Sequence, residues 1–385
     1  MWAFIDNEVP EEKGPYSHAA GYEACERTEM EACSDLRADV MEQVGKRYGV
    51  AKEKQYRDYK EMIDEEQPDI VSVATQPEHR TDIVVYAAEN GAKAIYVEKA
   101  FSSSMAEADR MVEAVERNGV FLNMGTNRRW DPGYDAMVDV IESGRIGELK
   151  SVISHMNGTL FNTSSHVFDL LMRLNGDSDA SWVQAWLPNG DELIDGVHLV
   201  DDPVGQGTIQ FANGVTAYAM NSGRGLEVEA IGEKGSVTAF GNGLEWRVRE
   251  EKEADHRGRG VWHDVGALEV EKHSSTLRLI EDLVHALDTG EPTRCGVRLA
   301  RANQELIFAF VESHVRGGAR VEIPLGESRY YLKRKRRARQ PKFARERSFF
   351  AKTAENVRSR FEGEAIDKGN SPLPLSHWPS LVLLA

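Results

Sequence analysis

Ala94-Ile95-Tyr96-Val97-Glu98-Lys99-Ala100 is an apolar run that ends in an adjacent acid and base, and its setting decides the fold. Upstream, Asp69-Ile70-Val71-Ser72-Val73-Ala74 has no alternating solvent face, so it reads as a strand buried on both sides. Between the two, residues 80–89 read as a helix closed by Asn90-Gly91. Working outward, 29–34 is a half-buried strand, 38–48 a helix closed by Gly49, 105–117 a helix and 121–124 a strand. Residues 17–25 read as a short helix and 2–5 as a possible first strand. Short strands alternating with helices predict a parallel, doubly wound sheet, whose ligands sit beyond the carboxyl ends of the strands.

After Gly125 the pattern changes. Residues 135–143 and 165–174 read as helices, followed by the alternating runs Gly207-Thr208-Ile209-Gln210-Phe211, Thr216-Ala217-Tyr218-Ala219-Met220 and Ser236-Val237-Thr238-Ala239-Phe240. The turn signals Asn213-Gly214 and Lys234-Gly235 predict an antiparallel meander. Residues 275–288 and 297–316 read as amphipathic helices, and Arg320-Val321-Glu322-Ile323 as a last strand. The expectation is an α/β domain over 1–125, an α+β domain with a mainly antiparallel open sheet over 126–328, and a basic tail over 329–385.

The chain has 385 residues, 41% of them hydrophobic, and a net charge of -16. That is enough apolar material for more than one core. From Arg329 on, 14 Lys and Arg stand against 5 Asp and Glu, which leaves 33 against 58 before it, so a body at -25 carries a tail at +9. An acidic body repels nucleic acid and anionic membranes; the tail is expected to dock on the body or a sister subunit, and to be dispensable for folding. No apolar run of about 18 residues is present and the amino end lacks a leader pattern, so no membrane association and a cytoplasmic location are expected. Cys25, Cys33 and Cys295 lack paired or metal-binding spacing and read as buried thiols, and no metal is expected.

Two residues suggest chemistry. Lys99 at a strand's carboxyl end and His166, opening a helix in Asn162-Thr163-Ser164-Ser165-His166, can converge on one hydroxyl. An ammonium stabilises a developing alkoxide and an imidazole exchanges its proton. Asn162 can orient His166 but cannot stabilise its cationic form by charge. Asp35 is placed to accept both hydroxyls of an adenosine ribose, favouring NAD over NADP, with Arg37 nearby blunting the preference; an N-cap for the next helix fits it equally. A Gly-x-Gly-x-x-Gly turn should precede the first helix. The chain has Asp6-Asn7-Glu8-Val9-Pro10-Glu11-Glu12-Lys13-Gly14 instead, where Gly14 alone can stand for a glycine of that turn. Either the first strand is missing or altered in this sequence, or the nucleotide site has decayed.

In this order the residues resemble the glucose-fructose oxidoreductase / inositol dehydrogenase / rhizopine catabolism (Gfo/Idh/MocA) family, whose hallmark is Glu-Lys-Pro; the proline is Ala100 here. Gly125-Thr126-Asn127-Arg128-Arg129-Trp130-Asp131-Pro132 is similar to the segment after the last nucleotide-domain strand. Ile141-Glu142-Ser143-Gly144-Arg145-Ile146-Gly147-Glu148-Leu149 resembles the junction to the second domain, and Asp202-Pro203 through Phe211-Ala212-Asn213-Gly214 its sheet. The resemblance covers roughly residues 14 to 325 and implies a Rossmann-type N-terminal domain. It further implies hydride transfer between NAD, with NADP the alternative, and a sugar, cyclitol or related polyol. Lys99 would bond the reacting hydroxyl, His166 would exchange its proton, and Asn162 stands where well-studied members carry aspartate. The implied cofactor set is Gly14, Ser34, Asp35, Thr75, Glu98 and Arg129, with Glu98 on the nicotinamide riboside. Trp130, His155, Asn157 and Thr163 lie on segments the family points at its substrate. A homo-oligomer built on the open sheet face is implied as well. Two alternatives stay open, an NAD-dependent glycosidase of the same family and a non-catalytic binding protein with a degraded cofactor site.

Overall fold

The computed structural model describes residues 3–11, 14–156, 158–334, 341–345 and, as backbone, 380–384. The first part of the chain runs α1 (His18–Ala24), β1 (Glu29–Ser34), α2 (Ala38–Tyr48), β2 (Gln55–Tyr56), α3 (Tyr59–Glu66), β3 (Ile70–Val73), α4 (Pro77–Glu89), β4 (Ala94–Val97), α5 (Met105–Arg117) and β5 (Phe121–Met124). Every residue of β3 and β4 is buried, as two-sided coverage by helices requires. The expected helices and strands of this region therefore form within a few residues of their predicted limits.

The expected strand at 2–5 does not form. Residue 2 lies outside the described residues, and Ile5–Glu8 is a short 3-10 helix. Phe4 packs instead with Ala19, Cys33, Val40, Met41 and Val44 in a small separate core. The central slot of the sheet is filled by the far end of the chain. The second part comprises α6 (Pro132–Glu142), β6 (Leu149–His155), α7 (Ser165–Arg173), β7 (Ala180–Trp186), α8 (Gly190–Leu193), β8 (Ile194–Asp195), β9 (His198–Leu199), β10 (Gln206–Phe211), β11 (Thr216–Met220), β12 (Glu227–Gly232), β13 (Gly235–Phe240), β14 (Glu245–Ala254), β15 (Gly260–Ala267), α9 (Ser275–Thr289), α10 (Val297–Val315), β16 (Val321–Glu322), β17 (Tyr331–Leu332) and β18 (Ser380–Leu384). The parallel sheet has the order β2-β1-β18-β3-β4-β5. In it β18 pairs with β1 from Glu29↔Ser380 to Ser34↔Leu384, and with β3 from Ile70↔Leu381 to Val73↔Leu384.

This overturns the expectation that residues after 328 form an arm the fold does not need. A strand between two others satisfies backbone groups on both neighbours, so its removal opens two ladders. Other described parts of the tail also dock on the body. Tyr330 and Leu332 are buried, Arg334 pairs with Glu78 at 2.9 Å, and Phe343 meets Phe4 edge-on at 5.1 Å. The basic run 335–337 and the proline-rich stretch 372–379 lie outside the described residues.

The larger sheet has the order β15-β14-β13-β12-β6-β11-β10-β7-β16. The predicted meander is interrupted: β6 inserts between β11 and β12 and runs parallel to β11. One face, carrying Val152, Val183, Ile209, Ala217, Val228 and Val237, is buried, and α10 packs on β7, α7, β5 and α5. Covered on several sides, α10 is buried at every position from Asn303 to His314. It joins the two sheets into one core. No helix among the described residues is long and apolar enough to cross a membrane.

Candidate active site

β4 delivers Glu98 and Lys99 to the carboxyl edge of the parallel sheet, and buried groups hold the turn they form. Arg80 of α4, its guanidinium pushed down to about 10 by burial, donates to the carbonyls of Thr75 and Ala100 and so ties the loops after β3 and β4 together. Gln304 of α10 accepts the Ser102 amide at 3.1 Å. Glu98 is 4% exposed. Its Oε2 accepts the Lys99 amide at 3.0 Å, and its Oε1 lies 3.1 Å from His18 Nε2. A Cβ at Gly125 would stand 3.2 Å from Glu98 Cδ, so that position fits a residue without a side chain. Burial alone would raise the Glu98 carboxyl; the His18 hydrogen bond and the charges of His18, Lys99 and Arg80 outweigh it and hold Glu98 below the usual carboxylate value.

Lys99 Nζ donates to Asn162 Oδ1 at 2.7 Å and to the Asn162 carbonyl at 3.1 Å. Burial pushes its ammonium below the usual lysine value, with Glu98 opposing. Asn162 lies on a π-helical turn, Leu160–Ser164, that runs straight into α7. Asp202 pins this turn: its carboxylate accepts Thr159 Oγ1 at 2.5 Å, the Phe161 amide at 2.8 Å and the Asn162 amide at 3.0 Å. Burial raises the Asp202 carboxyl while those bonds oppose. A Cβ at Gly158 would fall 2.0 Å from Thr163 Oγ1, so the approach to the turn requires glycine. Asn303 of α10 donates to the Ser165 carbonyl at 2.8 Å and anchors the start of α7.

One turn past Asn162, His166 presents a buried Nδ1 with no hydrogen-bond partner. Burial, then Arg128 and Lys99, hold its imidazole well below the usual value. A neutral imidazole beside an ammonium is a proton acceptor facing an electrostatic stabiliser. The structure thus brings Lys99, Asn162 and His166 together as the sequence predicts. It also supplies Asp202, Asn303 and Gln304, which sequence reasoning missed. Asp202-Pro203 was visible as the start of a sheet segment, but nothing local assigns Asp202 to residues 159–162.

The residues expected to hold a dinucleotide divide. Ser34 and Asp35 end β1, where Asp35 accepts the Arg37 amide at 2.8 Å and burial raises its carboxyl. The Arg37 guanidinium bonds Asp39 at 3.1 Å and 2.5 Å, and its charge also opposes the burial that raises Asp35. Thr75 Oγ1 is buried without a partner at the end of β3, and Glu98 follows on β4. These positions fit the ribose and nicotinamide ends of NAD. The pyrophosphate end fits less well. Gly14 closes a turn on the Glu11 carbonyl at 2.9 Å, and the Tyr16 and Ser17 amides, ahead of α1, donate to the Asp6 carboxylate at 2.7 Å and 3.2 Å. Asp6 thus takes the amides ahead of α1 that a bound phosphate would need free.

Two further expectations, Arg129 and Trp130, meet a different geometry. Arg129, expected at the cofactor, is 1% exposed and paired with Asp169 at 2.9 Å and Asp177 at 2.7 Å. It ties the segment after β5 to α7. Trp130, expected at the substrate, is wholly buried in the core, because α9 closes over it and Arg278 bonds its carbonyl. His155 ends β6 and pairs with Ser222 at 2.8 Å, and Asn157 lies outside the described residues. Thr163 lies on the π turn beside Asn162. The three cysteines are free and buried, and no group of three or more His, Cys, Asp or Glu placed to hold a metal exists among the described residues.

Residues 13–126, which span β1 to β5, match the oxidoreductase family with an NAD-binding Rossmann fold, Gfo/Idh/MocA. The myo-inositol 2-dehydrogenase of Thermotoga maritima is 25% identical over 249 residues, 58% of this chain and 71% of that protein. The D-apiose dehydrogenase of Paraburkholderia graminis is 35% identical over 132 residues, 34% of each chain. A solved structure of levoglucosan dehydrogenase with NADH and L-sorbose shares the fold at a TM-score of 0.65 and 21% identity, over 80% of this chain and 95% of that one. These matches place the protein among the NAD-dependent oxidoreductases. Over residues 13–126 the chain is similar to the Gfo/Idh/MocA family.

Proposed function

We propose that the protein transfers hydride between NAD and a carbinol carbon of a sugar, cyclitol or related polyol, in the cleft between the two sheets. The observation that carries this reading is the bond from Lys99 Nζ to Asn162 Oδ1 at 2.7 Å, which sets the lysine of the parallel sheet against the turn leading into His166. Bound NAD accepts or returns the hydride. Lys99 exchanges its Asn162 contact for the substrate oxygen and stabilises the alkoxide as charge develops. Neutral His166 takes up the hydroxyl proton on oxidation and returns it on reduction. Asn162 and Asp202 keep the two groups in register. Asp35 and Glu98 hold the cofactor's two ribose ends, with Ser34 and Thr75 lining the strand ends between them. Thr163 and His155 contribute donors and acceptors suited to a polyhydroxylated ligand. The relatives named above support this substrate class, since their own names are those of inositol and apiose dehydrogenases.

The test is NADH formation from NAD with a panel of cyclitols and aldoses, comparing the full chain with His166→Ala. Substrate-dependent NADH that the variant fails to produce supports the reading. No turnover on the panel in either direction, or wild-type turnover by the variant, overturns it.

The exposed face of the larger sheet carries Trp186, Tyr218 and Met220, which are 47%, 39% and 41% exposed. We assign this face to a homo-oligomer interface, with the protein located in the cytoplasm. Light scattering of Trp186→Glu against the unmodified chain tests the interface, and an unchanged mass removes it. Fractionation of cells expressing the chain tests the location.

A further inference from the structure

His18 opens α1 but points into the sheet, and it is 1% exposed. Its ring lies flat on Tyr96 of β4, with centroids 3.7 Å apart and planes 10° from parallel. Nδ1 is 2.6 Å from Ser72 Oγ of β3, and Nε2 is 3.1 Å from Glu98 Oε1. One imidazole therefore touches two neighbouring strands and the carboxylate at the end of one of them. The other oxygen of that carboxylate accepts the Lys99 amide. The contacts form an unbroken chain from Ser72 through His18 and Glu98 to the backbone of Lys99.

We propose that His18 is a positioning residue for hydride transfer, holding the Glu98 carboxylate in the place from which it fixes the turn that carries Lys99. The inference rests on the reading of Lys99 as the group that meets the reacting oxygen. An ionised Glu98 accepts hydrogen bonds and donates none, so Nε2 carries the hydrogen toward it and Ser72 holds the other nitrogen. A buried carboxylate that loses such a partner takes up a proton instead. Lys99 and Arg80 are the cations near Glu98, and His18, Tyr16 and Tyr96 the other titratable groups near it. Without His18, Glu98 loses a bond and Lys99 loses the negative neighbour that sustains its ammonium. The flat stack on Tyr96 gives the imidazole a single orientation.

The test uses the full chain. His18→Phe keeps a ring for Tyr96 and removes both nitrogens, while His18→Gln returns an amide donor to Glu98. Two measurements are made on each variant that melts cooperatively: kcat on the best polyol of the panel, and the titration of Lys99 in cofactor-free protein. The titration is followed by NMR after reductive methylation with 13C-formaldehyde, with Lys99→Ala identifying the resonance. His18→Phe is expected to lower kcat roughly 10-fold, the scale of one lost hydrogen bond to a charged group, and to shift the Lys99 titration to lower pH, with His18→Gln recovering most of both. Wild-type kcat and an unmoved Lys99 titration in His18→Phe overturn the proposal and leave His18 a core residue. If His18→Phe does not fold, Ser72→Ala replaces it and must move the titration in the same direction, an unmoved one again overturning the proposal. A wild-type chain inactive on the whole panel defeats the dehydrogenase reading alone, because the Lys99 titration still decides the role of His18.

Discussion

The parallel sheet has two carboxyl-edge regions that are built differently. On the β4 side, Glu98 and Lys99 follow a fully buried strand and are bonded by His18 and Asn162, while Arg80 and Gln304 bond the Ala100 carbonyl and Ser102 amide just beyond them. On the β1 side, the central strand comes from residues 380–384, and an aspartate occupies the amides ahead of α1. The contrast separates two requirements of one fold. A strand slot asks for backbone in register and is indifferent to where in the chain that backbone lies. A phosphate-binding turn asks for particular chemistry, bare backbone and free amides, and the residues around Asp6 lack it.

The sharpest way to break the comparison is to remove β18. Truncation after Arg334 is expected to abolish cooperative unfolding of the parallel-sheet domain in a circular-dichroism melt. Ladder bonds are each worth about 0.5–1.5 kcal/mol, against a total stability of about 5–15 kcal/mol. A melting temperature within a few degrees of the full chain would mean that β1 and β3 do not need the strand between them.

On the other side of the sheet, Lys99→Ala is expected to lower kcat by roughly 10² to 10³ with little change in NADH affinity, since its contact strengthens only as charge develops. Steady-state rates combined with fluorescence titration of NADH check both halves of that statement. A variant that lost NADH affinity and kept its kcat would move Lys99 from the chemistry to cofactor binding.

Asp6→Ala should tighten NAD binding by roughly 5-fold in calorimetry, because a carboxylate near a phosphate costs up to ~1 kcal/mol. It should also lower stability slightly, as the Tyr16 and Ser17 amides lose their acceptor. Unchanged affinity would show that the pyrophosphate is received elsewhere.

The smallest effect concerns pH. His166 is neutral in the folded chain, with its imidazole held below the unfolded value near 6.5. Below that pH the unfolded chain binds a proton that the native site refuses, so stability falls as pH drops through the window between the two values and is fully present above it. His166→Asn should flatten the fall in urea midpoint between pH 6.5 and 5; an identical fall in both proteins would assign it to other groups.

Much of this was legible locally. The uncharged runs 69–74 and 94–97 announced strands covered on both sides, and Glu98-Lys99 and His166 stood out because their side chains carry chemistry at element ends. The family resemblance misplaced Arg129 and Trp130. Cationic and aromatic residues after a strand suit a cleft and a core equally, and what placed Arg129 in the core were Asp169 and Asp177, forty and more positions away. Asp202, Asn303 and Gln304 escaped for the related reason that their partners at 159–162, 165 and 102 are remote in the chain.

The alternation of strands and helices, the acidic body and the lysine and histidine of the site follow from residue order alone, because periodicity and side-chain chemistry are properties of neighbouring residues. Three features follow from no stretch of residues read by itself: the filling of the central slot by 380–384, the insertion of β6 between β11 and β12, and the seating of Asp6 on the Tyr16 and Ser17 amides. Backbone ladders and ion pairs depend on distance in space, and burial makes each unpaired donor or acceptor costly. Partners were therefore settled by which groups the assembled core brought within about 3 Å of one another.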